Sequence, residues 1–276
     1  MGEDRSALKD VIVCSQSNIA STNIRERLLE RFPFQETEEF FGSSPIYVWG
    51  EKAIVTSPKE IVRVSGLDER FDNVRYVFAS THRAESGMPS LTAHFTGNFG
   101  SDTLGGNAHE VARYSPQLLK NYFLELNSLR NLIPKEYSIT LEATHHGPTE
   151  FKSPVMFVEL GSSEREWQDI ETAALIADAT IRSLDAQRRF DKCAIGIGGT
   201  HYSDKFNKVE LGSEFALGPI VPKHALEFLN ESMLAQILSK STQPIKYALL
   251  DWKGLGKSKE RVLQILERAD LEQIRV

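Results

Sequence analysis

The sequence predicts an α/β fold: a single three-layer domain built on a mixed, mainly parallel β-sheet. Three observations carry that expectation. Short β-branched and aromatic runs alternate with amphipathic helical patterns along the 276 residues, the chain order that favours parallel strands joined by crossover helices. No internal repeat, low-complexity tract or long Pro/Gly/Ser linker divides the chain, so residues 1–276 read as one domain. The composition, 41% hydrophobic and 25% charged, belongs to a globular chain able to bury a core and excludes disorder.

Strand-like runs fall at residues 11–15, 46–49, 53–56, 74–80, 138–144, 155–160, 192–197, 215–221 and 245–250. The clearest helix begins at Ser163, where Ser163 and Glu166 form a capping-box pair and Trp167, Ile170, Ala174, Ala177, Ile181 and Leu184 recur at helical spacing. A second runs over 257–269, with Val262, Ile265, Leu266 and Ala269 in phase, and others are expected at 23–31, 116–129, 202–209 and 223–240. Helices are therefore expected on both faces of the sheet. Residues 82–109 break the pattern: HRAESGMPSLTAHFTGNFGSDTLGGNAH has many glycines and almost no periodicity, and reads as a long functional loop.

Several function classes are excluded or disfavoured. No apolar run approaches the roughly 20 residues that span a bilayer, and the N-terminus has acids before its short apolar run and no cleavage-site pattern, so neither a membrane nor a signal peptide is expected. Gly2 with Ser6 matches an N-myristoylation pattern only weakly. Cys14 and Cys193 lie in apolar strand runs and read as reduced core residues, which places the chain in the cytoplasm. GLGKS (254–258) resembles the end of a phosphate loop, but Asp251 stands where the first glycine is required. Neither a GxSxG elbow nor an HExxH or CxxC spacing is present. Ser162 and Ser163 are better explained by helix capping than as nucleophiles.

The chemistry is expected where strands end. Three runs each finish in Thr-His: VRYVFAS before Thr81-His82, SITLEA before Thr144-His145, and CAIGIGG before Thr200-His201. Ligands of open α/β sheets sit beyond the carboxyl ends of parallel strands, so these ends would bring His82, His145, His146 and His201 to one crevice. Neutral imidazole binds zinc and moves protons near neutrality. Three ligands from His82, Glu85, His94, His109, His145, His146 and His201 could hold a metal, with His82, Glu85 and His94 taken as the metal set and His145, His146 and His201 as catalytic. An imidazole pair working without metal stands beside that reading. Gly147, Thr149, Gly198, Gly199 and Thr200 flank the histidines in turns whose N–H groups could bind substrate or a developing oxyanion. Glu142 and Glu159, inside strand runs, read as supporting or edge groups. Lys253 and Lys257, within DWKGLGKSKER, are candidates for RNA phosphate, as more ambiguously are Arg188, Arg189 and Lys192.

Four stretches, SGMPSLTAHFTGNFG (86–100), LEATHHGPTEFKSPVMFVELGSSEREW (141–167), CAIGIGGTHYSDKF (193–206) and DWKG (251–254), are similar to those of the archaeal and plant D-aminoacyl-tRNA deacylase family. The resemblance implies a zinc-dependent esterase acting on tRNA charged with a D-amino acid, and a fold like those of purine nucleoside phosphorylase and peptidyl-tRNA hydrolase. It marks His94, His145, His146 and His201 as motif residues without dividing roles among them. A nucleoside phosphorylase or nucleosidase, a peptidyl-tRNA hydrolase and a non-enzymatic RNA-binding module are the rival readings. No obligate protein partner is inferred, and monomer and homodimer are both open.

Overall fold

The computed structural model describes residues 8–101 and 103–276, so the Gly2/Ser6 pattern lies outside the described residues. Its strands are β1 (Asp10–Ser15), β2 (Gln35–Phe41), β3 (Ser44–Trp49), β4 (Lys52–Ser57), β5 (Arg75–Arg83), β6 (Ser90–His94), β7 (Gly97–Asn98), β8 (Glu110–Val111), β9 (Ser138–Leu141), β10 (Val155–Ser162), β11 (Lys192–Ile197), β12 (Phe215–Val221), β13 (Tyr247–Leu250) and β14 (Glu272–Arg275). The α-helices are α1 (Ile19–Arg31), α2 (Pro116–Ser128), α3 (Glu164–Trp167), α4 (Ile170–Asp185), α5 (Asp204–Gly212), α6 (Glu231–Ser239) and α7 (Lys259–Glu267).

The sheet is mixed and mainly parallel, as the alternation predicts. One sheet runs β2-β3-β4-β1-β5-β10-β6-β9, in which β4, β1, β5 and β10 are parallel to one another, β3 is antiparallel to β2 and β4, β6 is antiparallel to β10, and β9 is parallel to β6. A second, all-parallel sheet runs β12-β11-β13-β14. The central strands are buried on both faces, which is why DVIVCS and VMFVELGS read as continuous apolar runs rather than alternating ones.

Alternate residues of those strands face two different surroundings. Ile12, Cys14, Val77, Ala79, Met156 and Val158 pack with Ile24 and Leu28 of α1, Leu119 and Phe123 of α2, and Ile176 and Ala177 of α4. Val11, Val13, Tyr76, Phe78 and Phe157 instead meet Ile61, Val64, Leu67, Phe71 and Phe151, from short turns and irregular chain. The expectation of helices on both faces is corrected accordingly: bulky side chains of irregular segments supply the apolar cover. Burying one such Phe or Leu contributes about 1.5–3 kcal/mol. Helix α2 packs on β12 and β11 as well as on β6 and β9, so the two sheets share one layer of helix.

Local chemistry sets the helix ends. Asn18, Ser115, Asp169 and Asn230 each accept a backbone N–H from three residues on, capping α1, α2, α4 and α6. The expected continuous helix from Ser163 is interrupted, because Asp169, three residues past the Glu166 of the capping box, caps a new helix. The expected helix over 223–240 likewise divides into a 3-10 turn, Lys223–Phe228, and α6, separated by the Asn230 cap.

Residues 82–109 are not one loop. They contain the end of β5, all of β6 and β7, and β6 lies inside the large sheet between β10 and β9. Every residue of β6, SLTAH, is buried. Its alternate Ser90, Thr92 and His94 hide a strand from a reading that looks for apolar alternation.

Candidate active site

Five histidines and two carboxylates meet where the two sheets touch. His82 comes from the end of β5, His94 from the end of β6, Glu159 from β10, and His145 and His146 from the turn after β9. Backbone bonds join the second sheet to this edge: Ala143 N donates to His201 O at 2.8 Å, Thr144 N to Ile220 O at 3.1 Å, and Glu142 pairs with Tyr202 in an isolated antiparallel bridge. His201 is thereby held against the large sheet although its own strand, β11, belongs to the small one. Ring centroids lie 4.1 Å apart for His94 and His145, 4.4 Å for His145 and His146, 4.8 Å for His94 and His146, and 4.6 Å for His145 and His201. Phe157 packs beneath His94 and His146.

The histidine tautomers follow from their partners. His145 Nδ1 lies 2.8 Å from Ala143 O, His146 Nδ1 2.7 Å from Gly147 O, and His94 Nδ1 3.1 Å from Phe95 O. A carbonyl only accepts, so each Nδ1 donates a hydrogen and the Nε2 side is presented to the cluster. His146 is held at φ +41°, a costly conformation for a residue with a Cβ. Gly97 N, donating to His146 O at 2.7 Å, helps to pin it there.

The two glutamates organise the charges. His201 Nε2 donates to Glu142 Oε2 at 2.8 Å, which leaves Nδ1 of His201 as its acceptor atom. Glu142 Oε1 lies 3.1 Å from His82 Nδ1 without hydrogen-bond alignment, and Glu159 Oε2 lies 3.4 Å from the same nitrogen. Burial alone would lower the His82 pKa, but the Glu142 and Glu159 carboxylates outweigh it and raise it to about 10. Burial would raise both glutamates; their imidazole neighbours, His201 and His82 for Glu142 and His82 and His94 for Glu159, pull each below its usual value. His94 also ends up raised, as the Glu159 carboxylate overcomes burial. Burial and the neighbouring His94 push His145 well below its ordinary value and His146 down to about 4. Neutral and protonated imidazoles thus stand side by side.

Three groupings bring ligand-type atoms within 4.8 Å of one another: His94, His145 and His146; Glu142, His145 and His201; and His82, Glu142 and Glu159. His94 Nε2 and Glu142 Oε1 are buried without a hydrogen-bond partner. Buried orphan acceptors beside neutral imidazoles fit a cation, so these groups could hold a metal ion. The expected metal set is corrected in part. His82 and His94 fall in different groupings, and Glu85 is exposed on the turn between β5 and β6 and joins none. His109 is also outside: it is exposed, its Nδ1 bonds Phe99 O at 2.7 Å, and its ring lies against Phe228.

The flanking turns are more structural than the sequence suggests. The N–H of Gly147 donates to Leu104 O and that of Gly198 to Val221 O, so neither is free for an oxyanion. Thr149 is fully buried and ties the 105–110 segment, accepting from Asn107 N and donating to Glu110, both at 2.8 Å. Thr200 is exposed but its hydroxyl bonds Tyr202 O. Gly199 adopts φ +82°, and Gly254 comes so close that a Cβ there would lie 2.3 Å from Gly199 N. Lys253 and Lys257 are exposed. Arg261 is not available to a phosphate, because its guanidinium bonds the carbonyls of Leu226 and Leu229. Arg188 and Lys192 are paired with Glu125 and Glu214.

Sequence reasoning missed the weight of Glu142 and Glu159, and missed Tyr202, whose hydroxyl lies 3.3 Å from His82 Nε2. The available signal was a carboxylate inside each of two apolar strand runs, which burial tolerates only with a partner.

The profile of the D-aminoacyl-tRNA deacylase family matches residues 69–274. The chain belongs to this family. D-aminoacyl-tRNA deacylases of Thermococcus kodakarensis and Pyrococcus furiosus are each 35% identical to it, with 96% of this chain and 99% of theirs covered. That of Archaeoglobus fulgidus is 31% identical over 96% of this chain and 95% of its own. A crystal structure of a conserved protein of unknown function superimposes with a TM-score of 0.89 at 31% identity, covering 97% of this chain and 95% of that one. The deacylase family match spans the whole histidine cluster, from His82 to His201. Among the described residues no helix is long and apolar enough to cross a membrane.

Proposed function

We propose that this chain hydrolyses the ester bond of D-aminoacyl-tRNA, releasing the free D-amino acid and tRNA. The observation that carries the reading is the meeting of His82, His94, His145, His146 and His201 around two buried carboxylates at the seam between the two sheets, within a chain of this family. An aminoacyl ester is an activated bond, so the site needs an activated water, a sink for carbonyl charge and a hold on the tRNA end.

The zinc that the resemblance implies would be held by His94, His145 and His146, whose Nε2 sides converge. Zinc, when bound, supplies a Lewis acid that polarises a carbonyl and makes water acidic. His146, with its pKa pushed down to about 4, is a neutral donor at physiological pH and a poor proton acceptor, so it suits ligation better than base catalysis. His201 takes the base role: Glu142 fixes its Nε2–H, and Nδ1 is left to receive a proton from water. The protonated His82 balances the two carboxylates and is positioned to steady the developing oxyanion's surroundings, with Tyr202 beside it. Lys253 and Lys257 would contact the RNA backbone. Both described cysteines are free and buried, in keeping with a cytoplasmic protein. The chain would act as one unit, since residues of both sheets enter one hydrophobic cluster.

Hydrolysis of D- and L-tyrosyl-tRNA measured side by side, with and without a chelator, tests the reading. Preferential loss of the D ester, suppressed by the chelator and restored by zinc, is the expected result; release of a free base from nucleosides, or cleavage only of N-blocked peptidyl-tRNA, would replace it with a rival.

A further inference from the structure

A second unusual arrangement lies at the end of the small sheet. Trp252 sits in the turn after β13, half-buried, with the Arg275 guanidinium 3.5 Å and the Lys259 ammonium 4.3 Å from its ring centroid. The two cations are therefore no more than about 8 Å apart. Among the described residues neither makes an ion pair: the nearby Asp251 is taken by Lys205 at 2.9 Å, and the exposed Glu260 reaches neither. An indole face attracts each cation weakly at a surface, whereas two positive charges this close repel. An anion bridging the two cations past the edge of the indole would relieve that repulsion. Lys253 and Lys257, also exposed and unpaired, extend the positive charge along the same turn.

We propose that Trp252, Lys259 and Arg275 form a clamp for the phosphodiester backbone of the tRNA acceptor end. The proposal rests on the deacylase reading above. A row of cations from Lys253 to Arg275 exceeds what one free phosphate needs, and it suits a polyanion. The indole is a spacer that holds the two charges apart at a fixed distance, not a stacking platform, because the cations already occupy its π-surface. The clamp also touches the chemistry. Gly254, two residues after Trp252, packs on Gly199, and Gly199 leads directly to Thr200 and His201. The RNA backbone is thus held on a turn packed against the one that carries the proposed base.

The test compares the unmodified protein, the double variant Lys259→Ala/Arg275→Ala, and a charge-matched control, Lys135→Ala/Lys246→Ala, on two other exposed lysines. D-tyrosyl-tRNA hydrolysis is followed over a salt series, together with binding of uncharged tRNA. The clamp variant is expected to raise KM at least tenfold with kcat unchanged, and to flatten the log–log salt dependence of tRNA binding by about 1.5–2 relative to the control. Equal KM and equal salt slope in clamp and control variants would overturn the clamp. Failure of the unmodified protein to hydrolyse the ester would instead overturn the deacylase reading, while the uncharged-tRNA arm would still decide whether the clamp binds RNA. Trp252→Phe keeps a ring with less π-density and gives an independent readout: quenching of tryptophan emission by tRNA should be lost with it.

Discussion

Replacing Glu142 by Gln keeps the shape of the site and removes one charge from its centre. Glu142 is 2% exposed, accepts from His201 Nε2 at 2.8 Å and lies 3.1 Å from His82 Nδ1. The His82 pKa, raised from an ordinary 6.5 to about 10 chiefly by the two glutamates against the pull of burial, corresponds to an upper bound of about 5 kcal/mol of folded-state interaction. If Glu142 supplies about half, Glu142→Gln costs roughly 2–3 kcal/mol near pH 7. The sign fixes the pH window. A base whose folded pKa is raised contributes its full stability below pH 6.5 and loses it as pH climbs through about 10. Urea unfolding with a chelator present throughout should therefore show the unmodified protein weakening from pH 7 to 10, and the variant starting lower and declining less. Activity should fall about 10²–10⁴-fold in kcat with little change in KM, because His201 loses the group that fixes its tautomer. Parallel stability curves for the two proteins over pH 7–10, or an unchanged kcat, would refute the charge network described for this site.

Four further outcomes follow from other contacts. His146→Ala should strip zinc to less than a tenth of the unmodified content by elemental analysis, and it should remove the acid-side instability that His146 contributes as pH falls from about 6.5 to about 4, where only the unfolded imidazole is readily protonated. Gly254→Ala drives a Cβ to 2.3 Å from Gly199 N and should lower kcat at least tenfold by shifting His201, with a stability loss of about 1–3 kcal/mol in thermal melts. Thr149→Val leaves Asn107 N without its partner and removes one of the bonds to Glu110, which keeps Lys240 and the Asn107 side chain; it should cost about 1–3 kcal/mol and speed proteolysis within 103–108, while kcat of the folded fraction stays within about twofold. Lys120→Met removes the buried ammonium that binds the carbonyls of Glu210 and Ser213 at the end of α5, and should cost about 3 kcal/mol by urea titration.

β5 and β11, which lead to two of the three Thr-His pairs, were legible because buried parallel strands are apolar on both faces, and boundaries hold closely for β1, β4, β5, β10, β11 and β12; β9 is an edge strand of alternating burial and stops at Leu141, short of the expected 144. Strand β2, QETEEFF, escaped because it is a sheet edge covered in charges, the usual protection of an edge. β6 escaped for the opposite reason: it is so deeply enclosed that its polar residues are spent on the site, His94 among them. His82, His145, His146 and His201 do converge, but not as carboxyl ends of parallel strands: β9 runs parallel to β6 and so antiparallel to β5 and β10, and the Glu142 and Glu159 side chains link His82 to the other rings. The grouping of His94 with His145 and His146 could not be anticipated, since it depends on β6 running antiparallel beside β10. Thr149 and the Gly147 and Gly198 amides read from sequence as substrate groups, because turn sequences do not reveal which polar groups the rest of the chain already engages.

The bridge between Glu142 and Tyr202 and the bonds from Ala143 and Thr144 to the second sheet make the reactive centre a seam. Severing the polypeptide between α4 and β11 would leave four of the clustered histidines on one fragment and His201 on the other. Neither piece would hold a working set, and recovery of turnover on mixing them would report directly on whether the two halves had found each other in register.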